Sequence, residues 1–309
     1  MVRVLTDADI AEQLAPADAV RWIREAVLAA HDGRLHTPPR VHADLGDGNL
    51  VFTTGALTGE WYGYRSYDTF DTDPGSQLVV VHDWHTGAVR GVAVGNELGP
   101  RRVGAIGAVA VDALANPDAT TVGLIGTGAQ AWTQLWAIAT VRPLASVAVF
   151  SRDPVRRNAF AARVSEELGL NAVPVDSARA AVEGRHLVVL ATSSPEPVIE
   201  ADWVAPGAYV TTLGPKQVGR AEFGPDLVAR ADVAVTDSVA QTSAYDPPFI
   251  LAGTPQQARL TSLGAVLAGD AAGRTSPDQT VIFCSVGLAG TEAFLLARLI
   301  DSASWSSVR

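Results

Sequence analysis

The fold is decided by Val122-Gly123-Leu124-Ile125-Gly126-Thr127-Gly128-Ala129-Gln130-Ala131. This stretch begins as a short apolar strand, turns at two closely spaced glycines and continues as a helix-compatible segment. Gly126 permits a tight turn, and Gly128 lets the backbone approach a pyrophosphate. The small Ala131 lets the helix pack on the sheet while the helix N-terminus points at the anion. The pattern predicts a dinucleotide-binding turn; the alternative is a glycine turn in an α/β domain that binds no nucleotide.

Apolar runs of strand length alternate with helical stretches on both sides of this turn. The six runs are residues 122–125, 147–150, 172–175, 187–191, 209–213 and 233–236. Buried strands at this spacing are typical of βαβ units. The sequence therefore predicts an α/β fold with a doubly wound parallel Rossmann sheet.

The residues at the end of the second predicted strand indicate whether the domain prefers NAD or NADP. An acid at this place would bind the ribose hydroxyls, whereas this chain has Ser151 and Arg152, with Arg156 close behind. A hydroxyl and a fork-shaped guanidinium suit a 2′-phosphate, so the sequence favours NADP(H) over NAD(H). Asp153 is the residue that would reverse this preference. The complete set of predicted cofactor-binding residues is Gly126, Thr127, Gly128, Ala129, Gln130, Ser151, Arg152, Arg156, Thr192, Ser193 and Leu213.

The composition argues against several classes of function. The chain has 309 residues, of which 48% are hydrophobic, and a net charge of −10. An acidic chain without a basic run is a poor candidate for binding nucleic acid or an anionic membrane. Cys284 is the single cysteine, which excludes an intramolecular disulfide, and no metal-ligand spacing is visible. With neither a signal-peptide pattern nor an apolar run of membrane length, we expect a soluble, cytoplasmic protein.

The flanking segments have a different pattern. Residues 7–31 have helical spacing of apolar residues, and residues 38–95 read as strands with a hairpin turn at His85-Thr86-Gly87. Residues 101–115 predict a helix. Near the other end, a strand-like segment at 281–283 precedes an apolar helix that runs through residue 300.

Five short motifs follow one another along the chain. They are Pro39-Arg40, Leu98-Gly99-Pro100-Arg101-Arg102, Ala113-Leu114-Ala115-Asn116-Pro117-Asp118-Ala119, Gly126-Thr127-Gly128-Ala129-Gln130 and Ser285-Val286-Gly287-Leu288-Ala289. In this order and spacing they resemble the motifs of the ornithine cyclodeaminase/μ-crystallin family. That family has Gly-x-Gly-x-Gln at the turn, Leu-Thr-Ala-x-Arg at the second motif and Ser-Val-Gly-x-Ala near the C-terminus. Gln130 is more specific for the family than the glycines.

The resemblance implies a domain organisation and an assembly. Residues 1–116 and 281–309 would form a smaller α+β domain for substrate binding and dimerisation, and residues 117–280 the Rossmann domain. It also implies a homodimer. Members include cyclodeaminases, alanine dehydrogenases, ketimine reductases and opine-type dehydrogenases, so the resemblance indicates the cofactor chemistry more closely than the substrate.

The resemblance further implies a pocket for a small-molecule carboxylate substrate. The family holds this carboxylate with two arginines, matched here by Arg40 and Arg102, and a lysine, replaced here by Arg65. A planar guanidinium keeps the charge but changes the geometry. We predict that Arg65 serves in both substrate binding and catalysis. Cyclodeaminases also place an acid that contacts the substrate amine where this chain has Val51.

The larger departure from the family follows the fifth predicted strand. Cyclodeaminases and alanine dehydrogenases have Gly-x-Asp there, whereas this chain has Gly214-Pro215-Lys216, aligned through the spacing to Glu222. Lys216 is the only lysine of the chain. A lysine near other cations in a closed cleft can act as an acid or a base. We predict that Lys216 is catalytic, as a proton donor or as a clamp for a second carboxylate; the alternative is an exposed loop lysine.

These residues together predict an NAD(P)H-dependent oxidoreductase. It would transfer a hydride to or from the carbon of a small imino or amino acid, as a ketimine or imine reductase or an amino-acid dehydrogenase. A cyclodeaminase with bound NAD(P) is the first alternative, which Val51 and Lys216 disfavour. A non-catalytic, μ-crystallin-like protein that binds a cofactor or ligand is the alternative from another class.

Overall fold

The computed structural model describes residues 2–70 and 77–302, and the chain divides into two compact units. Unit 1 is Met1–Arg102 with Leu288–Arg309, and unit 2 is Val103–Gly287. The predicted domain boundaries, at residues 116 and 281, differ from this division. Residues 303–309 of the predicted substrate domain lie outside the described residues. None of the described helices is long and apolar enough to cross a membrane.

Unit 1 contains a seven-stranded sheet in the order β1-β7-β6-β5-β4-β2, with β3 also paired to β4. Strand β1 is parallel to β7, and the other pairs are antiparallel. The predicted hairpin joins β6 to β7. In chain order the elements are β1 (Arg3–Leu5), α1 (Asp7–Gln13), α2 (Pro16–His31), β2 (Leu35–His36), β3 (Val41–Asp44), β4 (Asn49–Leu57), β5 (Trp61–Asp68), β6 (Gln77–Asp83), β7 (Val89–Gly95) and α3 (Leu98–Leu114), whose residues after Arg102 belong to unit 2.

The helix predicted over residues 7–31 is in fact two helices. Thr6 caps α1 in a capping box with Asp9. Pro16 occupies the first turn of α2, where its missing N–H costs no hydrogen bond. Because a proline inside a continuous helix would remove a hydrogen bond and clash with the preceding turn, the chain starts a new helix there.

Unit 2 contains an eight-stranded sheet in which every pair of neighbours is parallel. Its order is β10-β9-β8-β11-β12-β17-β15-β16, and β13 and β14 form a separate two-stranded ladder. The elements are β8 (Thr121–Ile125), α4 (Ala129–Ile138), β9 (Ser146–Phe150), α5 (Pro154–Leu168), β10 (Ala172–Pro174), α6 (Ala178–Val182), β11 (Leu187–Leu190), β12 (Tyr209–Thr212), β13 (Lys216–Gln217), β14 (Arg220–Ala221), α7 (Pro225–Arg230), β15 (Val233–Thr236), α8 (Val239–Ser243), β16 (Leu260–Ser262), α9 (Leu263–Ala268) and β17 (Val281–Cys284).

The doubly wound α/β fold is confirmed, and all six predicted strands are present. Strands β9 and β11 flank β8, so the direction of winding reverses there and a crevice forms at the carboxyl ends of these strands. Strand β17 pairs with both β12 and β15. The segment Val281–Cys284 is therefore part of this sheet and not of the smaller domain to which the sequence analysis assigned it.

Helix α10 (Thr291–Ser302) returns the chain to unit 1 and packs on one face of the seven-stranded sheet. Phe294 meets Trp61 of β5 edge to face, with ring centroids 6.0 Å apart. Gly63 provides the close approach, since a Cβ there would lie 3.0 Å from Ala293 Cβ. Side chains alternate along β5, so its even-numbered residues point to the opposite face of the sheet.

Candidate functional site

A cleft of about 1010 Å³ lies at the carboxyl ends of β8, β9, β11 and β12 within unit 2. All eleven residues predicted to bind the cofactor line this cleft, together with Asp153, Glu196 and Gly214. Its size is at the upper end of the range that holds small molecules and cofactors. The structure thus brings together residues that are almost 90 positions apart in the sequence, from Gly126 to Leu213.

The turn between β8 and α4 has the geometry of a pyrophosphate cradle. Gly126 has φ +116°, and a Cβ there would lie 2.2 Å from the carbonyl oxygen of Ala191, so only glycine fits. A Cβ at Gly128 would meet no atom within 4 Å, so this glycine leaves open space in front of the backbone. No side chain caps the N-terminus of α4, and its first N–H groups are therefore available to an anion.

The residues after β9 are arranged around Asp153. Its Oδ1 accepts hydrogen bonds from the backbone N–H groups of Val155, at 2.8 Å, and Arg156, at 3.2 Å, and so caps α5. The Ser151 hydroxyl donates to the Asp153 carbonyl at 3.0 Å. Within the described part of the chain, Arg152 has no protein hydrogen bond or ion pair. Asp153 thus caps α5, whereas the Arg152 guanidinium is exposed at the cleft.

Unit 1 contains a buried cluster of two arginines and one glutamate. Glu292, at the start of α10, accepts on one oxygen, Oε1, hydrogen bonds from Arg65 Nη1, at 3.0 Å, and from Arg102 Nη2. Arg102 is 5% exposed and Glu292 only 1%. Burial alone would raise the pKa of Glu292, but the charges of Arg102 and Arg65 hold it below its usual value. The three groups together carry one net positive charge, which a single carboxylate would balance.

The Arg65 guanidinium is held from three sides. Besides its bond to Glu292, its Nε donates to Gln77 Oε1 at 2.8 Å, and the guanidinium lies 4.2 Å from the centre of the Tyr67 ring. A Cβ at Gly99 would lie 3.1 Å from Gln77 Oε1 and 3.5 Å from Arg65 Nη2. The glycine, found where the resembled motif has threonine, leaves room for the Gln77 amide that holds the guanidinium.

The third predicted arginine belongs to the same electrostatic cluster. Arg40 lies between β2 and β3 and is partly buried. Burial lowers the pKa of Arg65, and the charges of Arg102 and Arg40 lower it further, whereas Glu292 acts in the opposite direction. The structure thus brings the three predicted arginines into one region of unit 1.

Arg102 has unused hydrogen-bonding capacity. Its Nε and Nη1 are buried, and neither has a hydrogen-bond partner among residues 2–70 and 77–302. A buried donor without a partner costs about 1–3 kcal/mol, and more when it is charged. A substrate carboxylate could accept a hydrogen bond from one of these two groups, since Nε and Nη1 lie on opposite sides of the guanidinium.

Lys216 is buried in unit 2, at 3% exposure, which excludes the exposed loop lysine. Its ammonium group donates to the carbonyl oxygen of Gly214, a residue of the cleft, although Lys216 itself is not part of the cleft lining. Burial raises the pKa of the neighbouring Cys284 thiol to about 12, and the charge of Lys216 partly offsets this rise. Since the thiolate is the reactive form, Cys284 is a packing residue and not a nucleophile.

Two residues of the arginine cluster, Glu292 and Gln77, were missed by the sequence analysis. Glu292 could have been identified as a candidate from the sequence, because it is the only acidic residue between Val281 and Ile300. Gln77 could not have been identified in this way, since nothing in its sequence context links it to Arg65. Among the described residues, no group of three or more histidine, cysteine or acidic side chains could hold a metal ion.

Comparisons with known proteins agree with this architecture. An uncharacterized cyclodeaminase of Sinorhizobium fredii is 30% identical over 297 residues, which are 91% of this chain and 89% of that protein. The iminosuccinate reductase of Paracoccus denitrificans is 31% identical over 293 residues, covering 90% and 89%.

Solved structures share the fold over nearly the whole chain. The Δ1-pyrroline-2-carboxylate reductase of Thermococcus litoralis, in complex with NADH and L-proline, superposes with a TM-score of 0.89 at 24% identity and covers 97% of both chains. The Paracoccus denitrificans iminosuccinate reductase, in complex with NAD+, superposes with a TM-score of 0.86 at 26% identity and covers 97% of this chain and 95% of its own.

The family can also be assigned directly. The model of the ornithine cyclodeaminase/mu-crystallin family matches residues 2–307. This match confirms the family that the five sequence motifs predicted. The chain belongs to the ornithine cyclodeaminase/μ-crystallin family.

Proposed function

We propose that this protein is an NADP(H)-dependent oxidoreductase that acts on the carbon–nitrogen bond of a small imino or amino acid. The glycine turn and the residues after β9 bind the cofactor, and Arg40, Arg65 and Arg102 bind the substrate carboxylate. Iminosuccinate reductase and Δ1-pyrroline-2-carboxylate reductase, named above, support the class of reaction. When bound, the nicotinamide cofactor supplies or accepts the hydride.

The observation that carries the carboxylate site is the Arg102 side chain. A guanidinium that is 5% exposed and has two partnerless N–H groups is costly unless a ligand accepts those bonds. Glu292 neutralises only part of the local charge. A substrate carboxylate supplies a hydrogen-bond acceptor and a negative charge to this cluster.

Arg65 and Lys216 have different roles in the proposed reaction. Arg65, fixed by Gln77, Glu292 and Tyr67, orients the carboxylate and stays charged throughout, because a guanidinium does not release its proton near neutral pH. Lys216 is the candidate for moving a proton to or from the substrate nitrogen. The cyclodeaminase alternative is disfavoured because Val51, where those enzymes have an acid, is a buried apolar residue.

The reaction is tested by NADPH oxidation with a panel of cyclic and open-chain imino acids. We expect turnover with at least one imino acid, and NADP+ reduction with the corresponding amino acid. Proline formation from ornithine would instead support the cyclodeaminase. Tight cofactor binding with no hydride exchange on any member of the panel would support the non-catalytic binding protein.

The preference for NADP(H) depends on Arg152. Replacing Arg152 with alanine should raise the dissociation constant of NADPH about 10- to 100-fold, because one charged hydrogen bond to the 2′-phosphate is lost. The dissociation constant of NADH should stay nearly unchanged. Fluorescence titration of both cofactors measures this. Equal weakening of both would show that Arg152 does not read the 2′-phosphate.

The homodimer is assigned to the open face of the seven-stranded sheet, opposite α10. This face carries Phe52, Tyr62 and Tyr64, with Tyr62 stacked on His82 at a centroid distance of 4.8 Å. Strand β7 contributes Val94, which is 42% exposed, to the same face. A large apolar patch on a soluble protein typically marks an interface, and a second copy of this chain would cover it.

Static light scattering tests the assembly. The wild-type protein should have a mass twice the 32.2 kDa of one chain. Tyr62→Glu should shift the mass toward the monomer, because it brings a desolvated charge into the interface. Val239→Glu is the control, since Val239 lies on α8 in unit 2 and is 43% exposed, close to the 39% of Tyr62. A wild-type monomer, or a Tyr62→Glu dimer, would contradict the assignment.

A further inference from the structure

Glu222 is a fully buried carboxylate that makes four hydrogen bonds. Its Oε2 accepts from the backbone N–H of Thr192, at 2.9 Å, and from the Thr192 hydroxyl, at 2.8 Å. Its Oε1 accepts from the backbone N–H groups of Leu213, at 2.9 Å, and Gly214, at 2.5 Å. Hydrogen bonds to a charged carboxylate are about twice as strong as those between neutral groups.

The three partners of Glu222 all line the cleft, whereas Glu222 itself does not. Thr192 follows β11, and Leu213 and Gly214 follow β12. One carboxylate thus ties together the ends of two neighbouring strands. The contact is close: a Cβ at Gly214 would lie 2.5 Å from Glu222 Oε2 and 2.1 Å from the Thr192 carbonyl oxygen.

The same carboxylate also fixes the segment that carries Lys216. Glu222 donates its own backbone N–H to the carbonyl oxygen of Pro215 at 2.9 Å. The carbonyl oxygen of Gly214 accepts the hydrogen bond from the Lys216 ammonium group. Any shift of Gly214 away from Glu222 would therefore move the acceptor of Lys216 as well.

We propose that Glu222 is the positioning residue for the nicotinamide half of the cleft and for Lys216. The glycine turn and Arg152, at β8 and β9, form the adenosine and pyrophosphate half. The opposite half, at β11 and β12, is where the nicotinamide lies in a doubly wound sheet. This inference rests on the proposed cofactor-binding function of the cleft, and it adds a role for a residue that does not touch the cofactor.

A pair of ligands separates positioning from general support of the fold. NADPH occupies both halves of the cleft, whereas 2′-phospho-ADP lacks both the nicotinamide and its ribose and occupies one. In Glu222→Gln the amide nitrogen faces two donors and cannot accept from them, so the shape of the side chain is kept and two bonds are lost. We expect the dissociation constant of NADPH to rise about tenfold or more, and that of 2′-phospho-ADP to change less than about twofold.

Hydrogen exchange in the intact protein supplies a second readout. In Glu222→Gln the backbone N–H groups of residues 213–214 should exchange faster, while residues 122–131 should exchange at the wild-type rate. Glu222→Asp, whose shorter side chain keeps the charge but cannot span both strand ends, should have the same effects. Glu183→Gln is the control, because it removes an exposed carboxylate that pairs with Arg179 on the far-off α6.

The possible results separate the two proposals. Equal weakening of both ligands, or of neither, with normal binding by the wild-type protein would overturn the role of Glu222 and leave the cofactor function intact. Failure of the wild-type protein to bind NADPH would overturn the preference for NADP(H), and NADH with ADP would then serve as the pair of ligands. Failure to bind NADH as well would overturn the cofactor function itself. Selective weakening of NADPH, with a lower kcat at saturating cofactor, is the result that supports positioning.

Discussion

Replacing Arg102 with leucine should lower kcat/KM about 1000-fold or more. Arg102 is buried, shares Glu292 Oε1 with Arg65, and has two further N–H groups for the substrate. Truncating one partner of a buried, hydrogen-bonded charge pair between protein and ligand costs about 2–5 kcal/mol of binding. Each 1.36 kcal/mol lost in transition-state binding is a factor of about ten in rate. Steady-state kinetics with the substrate identified from the imino-acid panel measure the loss.

The loss should fall mainly on substrate binding. Arg102 does not line the cofactor cleft, so the dissociation constant of NADPH should be unchanged. Arg102→Lys keeps the charge but not the fork, and should recover only part of kcat/KM.

Arg101→Leu is the matched control. Arg101 is the preceding residue of α3, is 6% exposed, and pairs through Nε with Glu97 at 2.8 Å. It should cost comparable stability and leave the KM for substrate unchanged. If Arg101→Leu and Arg102→Leu lowered kcat/KM equally, Arg102 would have no specific role in holding the carboxylate.

The Rossmann half of the fold was predictable because its signals are local. Gly126 and Gly128 occur directly after an apolar strand, and the reason for each glycine is found within a few residues of the turn or on the next strand. The cleft residues follow from the same logic, since the ends of parallel strands meet at one edge of the sheet. That is why eleven residues predicted from the sequence line one cleft.

The partners of the arginines were less predictable because their contacts are long-range. Arg65 and Glu292 are 227 residues apart, and the pair forms only because α10 packs against β5. Strand β17 was misassigned for a similar reason: its sequence identifies a buried strand but not the sheet that it joins. A short apolar run fits any parallel sheet, and only pairing with β12 and β15 decides its place.

The sequence also could not show how Arg65, which replaces the family's lysine, is held in place. The sequence showed a changed cation, whereas the structure shows a guanidinium held by Gln77, Glu292 and Tyr67 with space left by Gly99. A fixed guanidinium is suited to holding an anion and unsuited to transferring a proton. We therefore propose that another residue transfers the proton, and Lys216, the only lysine of the chain, is our candidate.

Replacing Lys216 with methionine should lower kcat about 100- to 10,000-fold, the range over which a positioned proton donor acts. Methionine has a similar length and is apolar, so it suits a position that is 3% exposed. The dissociation constant of NADPH should stay within about twofold, because Lys216 does not line the cleft. Steady-state kinetics and fluorescence titration of the same preparation give both values.

Lys216→Arg separates the two roles considered for this lysine. A guanidinium keeps the positive charge but does not release a proton near neutral pH. We expect Lys216→Arg to be as slow as Lys216→Met, and both variants to lose the limb of the pH–rate profile that reports the proton donor. If Lys216→Arg instead restored kcat, and Lys216→Met raised the KM only for dicarboxylic substrates, the ammonium group would be a clamp for a second carboxylate and the proton would come from elsewhere.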